Sequence, residues 1–151
     1  MAPPLLTIQM HRIGPAAFHI DGGTAGSLVV DGSPDIGGEG RGMRPMELLL
    51  GAIASCASMD VVHILTKQRE PLGDLKVRAE GERKDATPAP FTHVRMHFVA
   101  YSSPGERAMD AHKVERAVQL AVQKYCSVAE SLHPDVKLTW SSEVVLPEAA
   151  L

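Results

Sequence analysis

An α+β fold, with antiparallel sheets wrapped around one long buried central helix, is what this sequence predicts, and three observations predict it. The first is the longest apolar run in the chain, RPMELLLGAIASCASMDVVHILTK, from Arg44 to Lys67. The second is a set of short β-branched, alternating runs on both sides of it. The third is their order, βββ-α-ββ-αα-β, which gathers helices on a sheet rather than alternating them with strands one for one.

Taken in order, Leu5 to Ile13, Ala16 to Asp21 and Gly26 to Asp31 read as three antiparallel strands. Gly14-Pro15 and Asp21-Gly22-Gly23 supply the tight turns between them. A Gly- and charge-rich loop follows, Gly32 to Met43, containing GGEGRG. It lacks the Lys-Ser/Thr ending and the G-x-G-x-x-G spacing of phosphate-cradling loops, and it reads as a flexible loop delivering charged side chains to the helix start.

Pro45 sits in the first helical turn, where proline is favoured because its missing N–H has no helical partner to lose. Met46, Leu48, Leu49, Leu50, Ile53, Val61, Val62, Ile64 and Leu65 then leave no polar face, so the helix is expected to be buried on nearly every side. A membrane span is the rival at this length. Glu47, Asp60 and His63 interrupt the run and would each be costly in lipid, which favours a core helix and excludes a membrane role.

The same helix carries a thiol, Cys56, in its middle. Each residue turns an α-helix by about 100° and advances it roughly 1.5 Å, so Asp60 and His63 fall within about 40° of Cys56. Glu47 lies roughly 180° away and about 14 Å along the axis, out of reach of the Cys56 of its own chain.

After the helix, Pro71-Leu72-Gly73 is expected to end the run. Leu75, Val77 and Ala79 alternate with charged residues, as do Val94, Met96, Phe98 and Ala100 with His93, Arg95 and His97 in the segment Phe91 to Tyr101. These form a hairpin whose loop, Lys84 to Pro90, is exposed. His93 and His97 share a face but lie roughly 13 Å apart along a strand, too far for one metal, and read as a solvated face. Ser102 to Gly105 is a break, and Asp110 to Tyr125 is a second helix with Val114, Val118, Ala121 and Tyr125 on one stripe. Ser127 and Glu130 have capping-box spacing, so a short helix is expected to begin there and run to Leu132. Cys126 would then stand at a helix N-terminus, where dipole and free N–H groups favour a thiolate. Lys137 to Leu146 closes the domain as a strand.

At 151 residues the chain fits a single domain, residues 1–151. A net charge of −3 and only 4% aromatics give no electrostatic or stacking case for nucleic acid or anionic lipid. The N-terminus MAPPLLTIQMHR lacks the basic start and apolar core of a secretory signal, and the expectation is a cytoplasmic protein with reduced thiols. Two cysteines with no CxxC and scattered histidines make no zinc pattern, so neither metal nor cofactor is expected.

With Pro45-Met46-Glu47-Leu48-Leu49-Leu50-Gly51-Ala52 followed by Cys56, and Tyr125-Cys126-Ser127-Val128 further on, the chain resembles the OsmC/Ohr family of thiol-dependent hydroperoxide reductases across nearly its whole length. The resemblance implies an intertwined homodimer with the two long helices in the middle and a small hydroperoxide or apolar ligand bound at the interface. It implies Cys56 as peroxidatic thiolate, Cys126 as resolving thiol, and an external dithiol as reductant. Two assisting residues depart from the family pattern. Its Glu directly follows the helix-opening proline, where this chain has Met46 with Glu47 one place later, and its Arg aligns with Ile36. Arg41 or Arg44 is the available substitute for that cation. The Cys-x-x-x-Asp spacing of Cys56 and Asp60 resembles a less characterised OsmC-like branch. Asp60 beside Cys56 would disfavour a thiolate there, and a protonated His63 within reach would favour it.

Two other classes compete. A non-catalytic OsmC-like module with unreactive cysteines and a small ligand in its interface pocket is favoured by the missing Arg and Glu. A zinc or Cys-His hydrolase built on Cys56 and His63 is weaker, because residues seven apart on a helix lie roughly 10 Å apart along the axis.

Overall fold

A computed structural model describes residues 2–146 and gives a mixed α+β architecture with two three-stranded sheets and one long helix, α1 (Pro45–Lys67). The chain divides into two compact units, Met1–Leu49 and Leu50–Leu151, and α1 runs through the boundary.

In the first unit, β1 (Ile8–Arg12), β2 (Phe18–Gly22) and β3 (Ser27–Val30) form an antiparallel sheet in that order. Pairing starts at Ile8↔Gly22, so the expected first strand loses its opening residues, and Leu5 and Leu6 stay exposed. The loop after β3 is not the flexible segment expected. It is folded around Asp31, whose carboxylate accepts from the backbone N–H groups of Gly32, Glu39 and Arg41 at 2.8, 2.9 and 3.1 Å. Those N–H donors, Arg41 first and then Glu39, hold the Asp31 carboxyl below its ordinary range despite its burial.

The start of α1 explains Glu47. Its Oε2 accepts from the backbone N–H of Arg44 at 2.9 Å, the reach-back half of a capping box, while the Arg44 carbonyl accepts from Leu48. The other end is set by Arg69 rather than by Pro71-Leu72-Gly73. Arg69 adopts φ 55°, and the Arg69 and Glu70 N–H groups turn back to the carbonyls of Thr66 and Leu65, both at 3.0 Å. That is a Schellman motif with arginine where glycine is usual.

In the second unit β4 (Leu72–Arg83) pairs antiparallel with β5 (Phe91–Ser102), and β6 (Lys137–Val145) adds to β5 in parallel, from His93↔Lys137 to Tyr101↔Val145. A parallel neighbour needs a crossover, supplied here by α2 (Ala111–Leu120), a π-turn over Ala121–Tyr125, and the short α3 (Ser127–Glu130). The expected helix to Tyr125 is therefore broken at Ala121. Asp110 caps α2 by accepting from the N–H groups of His112 and Lys113.

The core of this unit consists of Val94, Met96, Phe98 and Ala100 from β5, Val114, Ala117 and Val118 from α2, and Ile53, Ala57, Val61 and Leu65 from α1. Burying each of the larger side chains contributes about 1.5–3 kcal/mol. Burial of α1 on every side does not occur within one chain. The stripe Ile53, Ala57, Val61, Leu65 is fully covered, whereas Met59 and Val62 are 70% and 41% exposed. One sheet and one amphipathic helix can cover only one side of a cylinder.

The histidine face of β5 differs from expectation as well. His93 Nε2 and His97 Nδ1 pair with the hydroxyls of Thr139 and Ser141 on β6, each at 2.7 Å, so β6 half-buries a face that alternation alone leaves to solvent.

Candidate functional site

Cys56 lies mid-helix on α1, one residue before the buried stripe position Ala57, and is half-buried. Cys126 stands at the joint between the π-turn and α3. Its N–H closes the wide turn onto the Ala121 carbonyl at 2.8 Å, and its extended backbone, φ −69° and ψ 101°, then starts α3. The turn redirects the chain, leaving Tyr125 half-exposed and taking Cys126 inside at 3% exposure. Cys126, not Ser127, is the N-cap of α3: its Sγ accepts from the Ala129 N–H at 3.3 Å and its thiol donates to the Ile53 carbonyl at 3.8 Å.

These positions bring the two thiols together. Cys56 lies close enough to Cys126 to perturb its ionisation, and both thiols are free. Burial pushes the Cys126 thiol above its ordinary range, and the neighbouring Cys56 pushes it further, against the lowering contacts from the Ala129 and Val128 N–H groups. The thiolate expected from helix-dipole reasoning is thus corrected: α3 is only four residues long, too short for its terminus to outweigh burial. What the arrangement favours at Cys126 is a protonated thiol next to Cys56.

Asp60 and His63 lie further along α1, where they share the wall of a cavity of ≈480 Å³ with Ile64, Lys67, Gln68, Leu120 and Tyr125. His63 is exposed and Asp60 half-buried. The remaining candidates belong to the first unit and have local partners. Arg41 Nη1 donates to the Ile13 carbonyl at 2.7 Å, and Arg44 and Glu47 form the helix cap. Ile36 ends a 3-10 turn, Pro34–Ile36, at 68% exposure, and Met46 is half-buried in the first turn of α1.

Sequence reasoning missed the groups that fix Cys126, the Ile53 carbonyl that accepts from it and the Ala129 N–H that donates to it, because backbone groups leave no residue-type signal. It also missed a buried carboxylate. Glu70, its side chain fully covered, accepts from Arg107 at two positions, from Lys113 Nζ at 2.8 Å and from the Asp110 N–H at 3.0 Å. The Arg107 guanidinium foremost, then Lys113 and the Asp110 N–H, hold the Glu70 carboxyl down at about 2 in spite of burial. This cluster ties the end of α1, the helix that carries Cys56, to the start of α2.

Comparison with known proteins places this geometry in a family. Over 101 residues the chain is 44% identical to Protein YhfA of Escherichia coli K12, covering 67% of this chain and 72% of that protein. A crystal structure of a hypothetical protein from Aquifex aeolicus VF5 is 28% identical and superposes with TM-score 0.81 over 97% of this chain and 100% of that one. An organic hydroperoxide resistance protein OsmC from Legionella pneumophila is 18% identical, with TM-score 0.66 over 95% of this chain and 100% of that one, a likeness of fold. The sequence model for the OsmC-like proteins matches residues 38–141, more than half of the chain and inclusive of both cysteines, and the protein belongs to the OsmC family.

Proposed function

We propose that this protein is a thiol-dependent redox protein that reduces an organic hydroperoxide at Cys56 and resolves the product with Cys126. The observation that carries the reading is the nearness of Cys56 to the buried thiol of Cys126, set on separate elements seventy residues apart. The Cys56 thiolate attacks one peroxide oxygen, the O–O bond breaks, and the alkoxide leaves and takes up a proton as the alcohol. Cys56 is then a sulfenic acid. Cys126 surrenders its proton, its sulfur attacks the Cys56 sulfur, and the hydroxyl leaves as water, giving the disulfide. An external dithiol supplies the two electrons that restore both thiols.

A homodimer fits this reading, since the exposed Met59 and Val62 of α1 offer a second chain an apolar face. It also accounts for the all-round apolar pattern of the helix, and a cytoplasmic setting keeps the thiols reduced. The large cavity beside Asp60 and His63, with Ile64, Leu120 and Tyr125 on its wall, supports a second reading, a small-ligand-binding module with unreactive cysteines.

Stopped-flow reduction of an organic hydroperoxide by the pre-reduced protein tests the first reading, with free thiols counted by mass spectrometry before and after one equivalent. Reduction is expected to depend on Cys56 and to consume two thiols per chain. Equal rates for wild type and Cys56→Ser reject it in favour of the binding module.

A further inference from the structure

In the first unit the register of β1 and β2 sets His11 directly opposite His19, with Asp21 two residues on from His19 and so on the same face of the sheet. The two imidazoles lie with ring centroids 5.3 Å apart, and one ligand atom from each of His11, His19 and Asp21 falls within 4.8 Å of the others. Among the described residues this is the one grouping of at least three His, Cys, Asp or Glu side chains so close. A second observation points into the same space: the Nδ1 atom of His19 is buried without a hydrogen-bond partner, its nearest counter-charge being Asp21 Oδ2 at 3.5 Å. A buried ring nitrogen with no partner is costly to leave so.

We infer that His11, His19 and Asp21 form a binding site for a divalent transition ion of the Zn²⁺ class. Two imidazoles and a carboxylate are a borderline donor set of the kind that holds zinc with three protein ligands, leaving a further position to water. Ligand bonds of about 2.0–2.2 Å place donor atoms roughly 3.4 Å apart around a tetrahedral ion, so modest side-chain rotation closes the set while the strand ladder holds the backbones. The rim is open, with the His19 and Asp21 side chains 32% and 56% exposed, which gives an ion a path in. Its three residues belong to the first unit, and the thiol pair to the second.

The test is calorimetric titration of tag-free, chelator-treated protein with Zn²⁺ alone, for the wild type, His11→Gln, His19→Gln, Asp21→Asn and the double variant Cys56→Ser/Cys126→Ser. Circular dichroism checks the fold of each. One ion per chain is expected in the wild type and equally in the double cysteine variant, with affinity falling at least ~10-fold in each ligand variant. Asp21→Asn preserves shape and decides the matter should a histidine variant misfold. Absence of saturable binding to the wild type, undiminished affinity in Asp21→Asn, or loss of binding in the double cysteine variant overturns the assignment.

Discussion

The thiol of Cys126 donates to the backbone carbonyl of Ile53 at 3.8 Å, which holds the buried cysteine against α1 one turn before Cys56. The bond keeps the proton on Cys126 at a place where a sulfenic acid on Cys56 could be attacked. Because the partner is a main-chain oxygen inside a helix, its position does not depend on the side chain at Ile53.

Removing Cys56 should make Cys126 easier to ionise. Burial is the largest reason its thiol titrates high, and the neighbouring Cys56 adds to it. In Cys56→Ala the Cys126 transition, followed by NMR of labelled cysteine Cβ, is expected at lower pH than in the wild type but still above that of an unburied thiol. An unchanged or higher midpoint would show that the two side chains do not interact.

Arg69 occupies the left-handed position that ends α1, at φ 55°, and its side chain is exposed. An L-residue there costs about 1–2 kcal/mol, against about 0.5–1 kcal/mol of extra unfolded-state entropy for glycine. Arg69→Gly is therefore expected to stabilise the protein by about 0.5–1 kcal/mol, since the Arg69 carbonyl still accepts from Arg107. A drop in the urea midpoint counts against this account of how the helix stops.

The long helix was legible because it is written locally, in an apolar run with Pro45 at its head, whereas the pairing of Cys56 with Cys126 came from the family resemblance and not from any local pattern. Three features were not legible, and each depends on contacts distant in sequence. The Schellman stop at Arg69 carries no glycine to announce it. Alternation in Lys137–Val145 identifies a strand but is blind to its direction, which pairing with β5 decides. The burial of Cys126 follows from the π-turn, which substitutes an Ala121–Cys126 bond for the usual helical one, and no periodicity in AVQKY marks it.

Of the two arginines near the start of α1, Arg41 is already committed. Its guanidinium donates to the Ile13 carbonyl across the β1–β2 turn, and a Cβ added at Gly14 would meet its Nη1 at 2.8 Å. Arg41→Ala should cost about 1 kcal/mol of stability. Arg44 engages Glu47 through its backbone, an interaction that alanine preserves. If a cation near the helix start assists peroxide cleavage, Arg44→Ala should slow reduction by ~10²-fold with little loss of stability. Equal turnover losses in the two variants, or a larger one in Arg41→Ala, would reverse the assignment.

Glu70 gives the fold a defined acid limit. Its carboxyl is held at about 2, below the ordinary 4.5, first by Arg107, then by Lys113 and the Asp110 N–H. A carboxylate with a depressed folded-state value stabilises the protein fully above its unfolded value, and that contribution is lost as protons bind on acidification. The window is therefore between about pH 4.5 and 2, and the loss across it is up to about 3 kcal/mol, reduced by solvent around the half-exposed Arg107 and Lys113. Glu70→Gln keeps the shape but removes the charge from beneath both cations, so at neutral pH it should cost about 2–3 kcal/mol. Below pH 4.5 the variant's stability should fall less steeply than the wild type's, and the two should converge near pH 2. Asp31, also held low, titrates in both proteins and cancels from the comparison. Urea unfolding at a series of pH values reads the difference directly. Parallel curves would show that the Glu70 cluster, though well bonded, does not govern the acid stability of the fold.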